Sequence, residues 1–335
     1  MKKFNCTLLI ASAISLFGCG GGGGSGSGNN IDNASLQTLP TWTIIVDSNF
    51  ERALISMGLD DVVDGQVLTS NISSVTQLSI GRNYYNPNTS SGISFSNLFS
   101  NNGYAYASGT SNLITDVTGL ENFKSLKVLY FDNQKATNFN FSNMKNLQLL
   151  SLWGAPLTTL DVSSLTKLKM LGLSETSLTT IDTSKLVNLE EVSFQHISSP
   201  PYVTSNGTTV NGFSSLDFSK NTNLIRIYID YNFLTTIDLS YNTKLQELWA
   251  SYNNFTTINL TNNTNLTYVV LNNNQLNSFN FKGHGLISRF YTENNNNLQI
   301  ITVDNPTLYT QTRNQCLVSC SGGYAVYTST NTVFN

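Results

Sequence analysis

The chain has 335 residues, with 17 Lys and Arg against 20 Asp and Glu, a formal net charge of −3 and only 11% charged residues, well under the usual quarter. Nucleic acid and acidic-lipid surfaces both require a basic face, so neither is expected as a partner. Hydrophobic residues make up 40% of the chain and recur periodically, which assigns the abundant Asn, Thr and Ser to loops rather than to disorder.

Met1, Lys2 and Lys3 precede a short apolar stretch from Leu8 to Phe17. That pattern suits a signal peptide over 1–18 and is too short to span a bilayer. It ends in Leu16, Phe17, Gly18 and Cys19, a tetrapeptide that resembles a bacterial lipobox, whose Cys becomes the lipid-modified first residue of the mature protein. The resemblance implies a lipid anchor at Cys19, and Gly20 in place of Asp implies sorting to the outer membrane with surface exposure. Gly, Ser and Asn fill the next stretch to Asn30, so 19–40 reads as a flexible tether.

The region 41–124 reads as an N-terminal cap. Ser48 and Glu51 form a capping-box pattern ahead of Phe50, Ala53, Leu54 and Met57, which share one helical face, and Gly58 stops the helix. Such a helix would cover the open end of the first coil. Asp60, Asp61 and Asp64 with Gly65 lack the spacing of a calcium loop and are expected to form turns. Val75, Leu78 and Ile80 suggest a first imperfect strand, followed by an inserted loop at 81–113 rich in Gly, Asn, Ser and Tyr.

From 125 to 303 the chain keeps a 21-residue period. Leu126, Leu147, Leu168 and Leu189 fall on it, and Leu224, Leu245, Leu266 and Ile287 resume it. Each opens an LxxLxL phrase such as Leu224, Ile227, Ile229, and a second apolar pair follows, such as Ile237 with Leu239. This is the spacing of a leucine-rich repeat. A single coil cannot bury both of its apolar edges, so coils must stack into a solenoid. The expected fold is a leucine-rich-repeat solenoid with a curved parallel β-sheet on its concave face, irregular or short extended segments on its convex face, and a small helical N-terminal cap. Leu189 and Leu224 lie 35 residues apart, which places an insertion at 196–214. His196 at its start, beside Pro200, Pro201 and Tyr202, reads as a loop residue, and no metal or other cofactor is expected.

The stretch 47–80 together with ITDVTGLENFKSLKVLYF at 114–131 resembles the N-terminal cap and first repeats of bacterial internalin-like leucine-rich-repeat surface proteins. LTTIDLSYNTKL at 234–245 is similar to that family's repeats. The resemblance covers about 45–305 and implies an exported solenoid whose inner face binds macromolecules. The family places Asn ninth in each repeat, where its buried amide serves backbone groups of adjacent turns. Asn232, Asn253, Asn274 and Asn295 keep it, whereas Gln134, Ala155, Thr176 and Ile197 do not. The earlier coils therefore need another hydrogen-bonding solution.

Segment 304–335 reads as a C-terminal cap. In an exported protein its Cys316 and Cys320 favour a disulfide over a metal site, because the only histidines, His196 and His284, are far away in sequence.

Strand alternation turns the remaining positions of each LxxLxL phrase away from the core. Tyr130, Trp153, Arg226, Tyr228, Asp230, Tyr231, Glu247, Trp249, Tyr252, Tyr268, Arg289 and Tyr291 occupy them and form the candidate ligand-binding set. With strands about 4.8 Å apart, Tyr228, Tyr231, Trp249, Tyr252 and Tyr268 should gather within three coils. Aromatic side chains so placed suit a protein or glycan ligand. Glu191 and Glu247 raise a rival reading, glycan hydrolysis, since two carboxylates two strands apart approach the spacing of an inverting glycosidase. Against it, an open sheet lacks the walls that shift an acid's pKa. The expected function is therefore binding or adhesion by a non-catalytic, monomeric surface lipoprotein, with an envelope spacer as the alternative.

Overall fold

The computed structural model describes residues 39–81, 104–106, 113–284, 289–302, 325–328 and 333–334. Cys19, Cys316 and Cys320 lie outside these residues, and with them the anchor and the disulfide.

The N-terminal cap pairs β1 (Trp42–Ile44) antiparallel with β2 (Gln66–Leu68) around α1 (Ser48–Ser56), followed by the short α2 (Thr69–Ser73). Here the capping box expected from Ser48 is corrected. The N-cap is Asp47, whose extended backbone lets Oδ1 accept from Asn49 N at 2.7 Å and Phe50 N at 3.2 Å. Its Oδ2 accepts from Thr115 N, Thr115 Oγ1 and Asp116 N at 2.7, 2.8 and 3.2 Å, tying the helix start to the first repeat. Burial pulls the Asp47 carboxyl upward, but these hydrogen bonds outweigh it and hold the group below the usual carboxylate range. Glu51 is buried and turns elsewhere. Its Oε1 accepts from Asp64 N, Gly65 N and Gln66 N at 2.9, 2.6 and 3.1 Å, so it latches the turn that the three aspartates mark. Gly58 follows the helix at φ 72°, the left-handed conformation a helix stop favours.

An eleven-stranded parallel sheet carries the solenoid. It runs through β3 (Gln77–Ile80), β4 (Tyr104–Tyr106), β5 (Val128–Phe131), β6 (Leu149–Ser151), β7 (Met170–Gly172) and β8 (Glu191–Ser193). Beyond the hairpin strands β9 (Tyr202–Val203) and β10 (Thr209–Val210), it continues with β11 (Arg226–Tyr228), β12 (Glu247–Trp249) and β13 (Tyr268–Val270). After β14 (Ser278–Asn280) come β15 (Arg289–Thr292) and, beyond β16 (Ile300–Thr302), β17 (Ala325–Thr328). β14 pairs with β16, and β16 with β18 (Val333–Phe334), in a second, three-stranded sheet made by the other edge of the coil. The segment expected to be loop at 81–113 contributes β4, which pairs with β3 and forms that end of the sheet, the place expected for the cap helix.

Register is set by the repeat itself. Leu129, Leu150, Leu171, Val192, Ile227, Leu248, Val269 and Phe290 face each other across successive strands and are fully buried. Burying such rows is the dominant stabilising contribution, about 1.5–3 kcal/mol for each large apolar side chain.

Two ladders of buried amides reinforce the later coils. The anticipated one runs through Asn232, Asn253, Asn274 and Asn295: Asn253 Nδ2 donates to Ile229 O at 2.9 Å and Ala250 O at 3.2 Å, while its Oδ1 accepts from Leu234 N at 3.1 Å. A second runs three residues ahead of each opening Leu. Asn221 donates to Thr183 O and Leu186 O, Asn242 to Phe218 O and Asn221 O, and Asn263 to Leu239 O and Asn242 O. His284 takes the next rung, its Nε2 lying 2.9 Å from Leu260 O. The equivalent positions in the earlier coils are Phe123, Met144, Leu165 and Leu186, all buried. Both ladders begin after the insertion.

The earlier coils are completed by the insertion. β9 and β10 form an antiparallel hairpin that reaches back along the solenoid. Asn206 Nδ2 and Thr208 Oγ1 both donate to Gly154 O at 2.9 Å, Asn211 N donates to Thr176 O at 3.2 Å, and Asn211 Nδ2 donates to Ser177 O at 3.1 Å. These bonds serve coils whose ninth residues, Ala155 and Thr176, cannot form the amide ladder. His196 is correspondingly not an exposed loop residue. It is buried, its Nδ1 accepts from Glu175 N at 3.2 Å, and burial pushes its pKa down to about 4.

Candidate functional site

Outward positions fall into rows that cross the sheet. The first row reads Val128, Leu149, Met170, Glu191, Arg226, Glu247, Tyr268, Arg289, and the second reads Tyr130, Ser151, Gly172, Ser193, Tyr228, Trp249, Val270, Tyr291. A third follows with Asp132, Trp153, Ser174, Gln195, Asp230 and Ser251.

Seven candidate residues are brought together on β11 to β15. Tyr228 lies 6.0 Å from Trp249 between ring centroids, Trp249 stacks on Tyr268 at 4.9 Å with planes 9° apart, and Tyr268 lies 5.6 Å from Tyr291. Arg289 places its guanidinium 5.7 Å above the Tyr268 ring, within cation–π range. Arg226 stands in register between Glu191 and Glu247, with Nε 3.1 Å from Glu247 Oε1 and a terminal nitrogen 3.7 Å from Glu191 Oε2. The two carboxylates considered for glycan hydrolysis are thus both engaged by one guanidinium. Tyr228 Oη donates to Glu247 Oε2 at 3.4 Å.

Three residues expected at the water-facing surface are buried. Arg226 is held between its two carboxylates, and Tyr228 is covered by the Trp249 ring and Glu247 beside it; 3% and 8% of their surfaces remain exposed. Tyr130, far from the cluster on β5, is 3% exposed, and burial pushes its phenol upward with help from Asp132 and Glu191.

Asp230, Tyr231 and Tyr252 stand at the turn that ends the strands. In every described coil from Asn133 onward except that of His196, the residue here has positive φ: Asn133, Gly154, Glu175, Tyr231, Tyr252, Asn273 and Asn294, between 54° and 73°. Asn and Gly tolerate this region, whereas bulky side chains are rare in it. Tyr231 and Tyr252 nonetheless occupy it and stack at 4.0 Å with planes 8° apart. Burial pushes Asp230 up to about 7, only partly offset by hydrogen bonds from Ser251, whose N donates to Oδ1 at 2.6 Å.

Trp153 belongs to a different place. The second row carries three small residues in succession, Ser151, Gly172 and Ser193, between Tyr130 and Tyr228, and the trough they leave is a cavity of about 270 Å³. Met170, Asp132, Trp153, Ser174, Gln195 and Ile197 complete its lining. Of these only Trp153 was singled out from sequence. The missed signal is the run of small residues at one repeat position, legible only when coils are aligned under one another.

Neither a family model nor a curated protein matches the sequence. Among solved structures, the functional domain of InlJ from Listeria monocytogenes matches 80% of this chain at 19% identity with a TM-score of 0.53. The fold is the internalin leucine-rich-repeat solenoid. This chain covers 58% of the InlJ chain. An internalin C2 from the same species matches 70% of this chain and 87% of its own at 21% identity, with a TM-score of 0.49. The InlJ domain is described as including a cysteine ladder. This internalin-type solenoid has cysteines only at 6, 19, 316 and 320 and builds its ladders from asparagine.

Proposed function

We propose that the chain is an exported, lipid-tethered recognition protein whose aromatic cluster on the later coils engages a protein ligand. The observation that carries this reading is the Tyr231 and Tyr252 pair. Both rings are held at positive φ, where asparagine would fold at lower cost, and backbone strain of that kind tends to persist where it serves function. A passive spacer would gain nothing from it. The rings of Trp249, Tyr268 and Tyr291 extend the patch, and Arg289 and Glu247 add charge at its side. Stacked rings are already ordered before binding, so little side-chain entropy is lost on contact, which is the property of interaction hot spots.

The enzymatic reading is disfavoured by Arg226, which neutralises the carboxylates that would have to act as acid and base. The sequence at 1–19 supports export and acylation at Cys19, and among the described residues no helix is long and apolar enough to cross a membrane. The test is to present the protein to arrays of candidate proteins and glycans and repeat it with Trp249→Ala/Tyr268→Ala. A protein ligand lost by at least about tenfold, as expected when hot-spot residues are truncated, supports the reading. Binding that ignores the double substitution, or selects glycans only, overturns it. Mass spectrometry of the N-terminal peptide checks the lipid at Cys19.

A further inference from the structure

The trough on β6 to β8 contains a buried acid with no cationic partner. Asp132 is 2% exposed and lines the cavity. Its Oδ1 accepts from Ser151 Oγ at 2.7 Å and from Trp153 N at 3.0 Å, and among the described residues no group donates to its Oδ2 and no ion pair reaches it. A carboxylate withdrawn from water this way is costly unless a positive charge or further donors meet it. The remaining walls suit a long side chain. Met170 and Gly172 form an apolar floor, Trp153 and Ile197 stand at the rim, and Gln195 is half-buried, its side chain making no hydrogen bond among the described residues. The cavity of about 270 Å³ lies just under the range of small-molecule sites, a size for one chain end rather than a whole ligand.

We propose that this trough receives the cationic end of an arginine or lysine side chain presented by the protein ligand, with Asp132 Oδ2 as its counter-charge. The idea rests on the reading of the solenoid as a protein-recognition module. The alkyl stem lies along Met170 and Gly172, and the indole of Trp153 offers its π-face to the cation. The binding face thus has two parts, an aromatic platform on the later coils and a charge-selective socket on the earlier ones. The hydroxyls of Ser174 and Ser193, 3.0 Å apart, satisfy each other at the far side of the socket, so selection is made by the carboxylate.

The test titrates the full chain with Nα-acetyl-arginine amide, Nα-acetyl-lysine amide and the uncharged Nα-acetyl-norleucine amide, following the indole resonance of Trp153 assigned by Trp153→Phe. Either cationic amide should shift it saturably with a Kd of about 1 mM, and norleucine amide should bind at least about tenfold more weakly, as expected when a charge-assisted hydrogen bond is missing. Asp132→Asn keeps an acceptor for Ser151 and Trp153 and should erase the preference for charge. Gly172→Leu fills the trough and should abolish binding of all three amides. Equal binding of norleucine amide to the native chain, or no saturable shift with either cationic amide, overturns the proposal without reliance on any variant. Amide binding retained in Trp249→Ala/Tyr268→Ala while the protein ligand is lost supports two separate parts. Amide binding without any protein ligand for the native chain overturns only the recognition reading.

Discussion

Asn253 Nδ2 donates to the carbonyl oxygen of Ile229 at 2.9 Å, 24 residues earlier, so one side chain adds a stitch between two coils beside the backbone bond from Ile229 N to Trp249 O at 2.8 Å. Removing it leaves the Leu234 amide without its buried acceptor, while the Ile229 carbonyl keeps, among the described residues, only Asn232 Nδ2 at 3.0 Å. Asn253→Ala should therefore cost about 1–3 kcal/mol, measured by urea unfolding. Ala155, which stands at the same repeat position, is fully buried, so Asn there must overpack the coil and should bring no comparable gain.

The inward row makes a larger demand. Leu171 and Leu248 are fully buried in register with apolar neighbours on both sides. Truncating either to Ala should lower stability by about 2–5 kcal/mol. A mutant that melts like the parent would contradict the register.

Tyr252→Asn separates folding from recognition. The change relieves a bulky residue at φ 54° and forfeits the stack on Tyr231. The relief is worth about 1–2 kcal/mol and the stack about 0.5–1.5 kcal/mol, so the melting temperature should barely move. Affinity for the protein ligand should fall by at least about tenfold, read by biolayer interferometry. Unaltered affinity would remove the pair from the binding face.

Replacing Arg226 with Met keeps the volume of the stem and takes away the cation shared by Glu191 and Glu247. Breaking a buried pair from one side costs about 3–5 kcal/mol. The loss should appear in urea unfolding at neutral pH.

Asp132 gives a pH signature. Burial raises its pKa from 3.8 to about 7 in the folded state, so the native chain holds the proton more tightly than the unfolded one. Its contribution is fully present below about pH 4 and is lost as pH rises toward 7. Between pH 5 and pH 8 the native chain should lose about 2–3 kcal/mol through this residue, and Asp132→Asn should remove that share. Asp230 acts in the same direction. His196, lowered to about 4, acts oppositely between its ordinary value of 6.5 and 4. Both persist in the variant, so the difference between the two proteins isolates Asp132. Chemical unfolding at the two pH values checks it.

The solenoid was legible because its period exposes it. Leu126 and each apolar residue 21 positions on can be satisfied only by stacking, and the ninth-position asparagines follow the same count. Asn221, Asn242 and Asn263 were not legible. They sit in stretches already crowded with polar residues, where nothing local tells a buried amide from a solvated one. The burial of Tyr130 and the setting of Arg226 depend on neighbours one coil away, and for Arg226 the 35-residue spacing between Leu189 and Leu224 hides that Glu191 is such a neighbour. The trough beside Trp153 is defined by side chains too small to attract notice singly. Helix capping by Asp47 was missed by one residue, since Ser48 offers the same chemistry.

The hairpin between β8 and β11 divides the chain's tolerance of length change. Coils that follow it are interchangeable, each bonded to the next through its own asparagines, so a 21-residue unit could be duplicated or lost there with both junctions intact. Coils that precede it are clasped from outside, at Gly154, Thr176 and Ser177, by one fixed arm. An added unit on that side would carry those carbonyls about 5 Å away from the groups that meet them. Variation in reach is therefore confined to the part bearing the aromatic rings, while the part bearing the acidic socket keeps its dimensions.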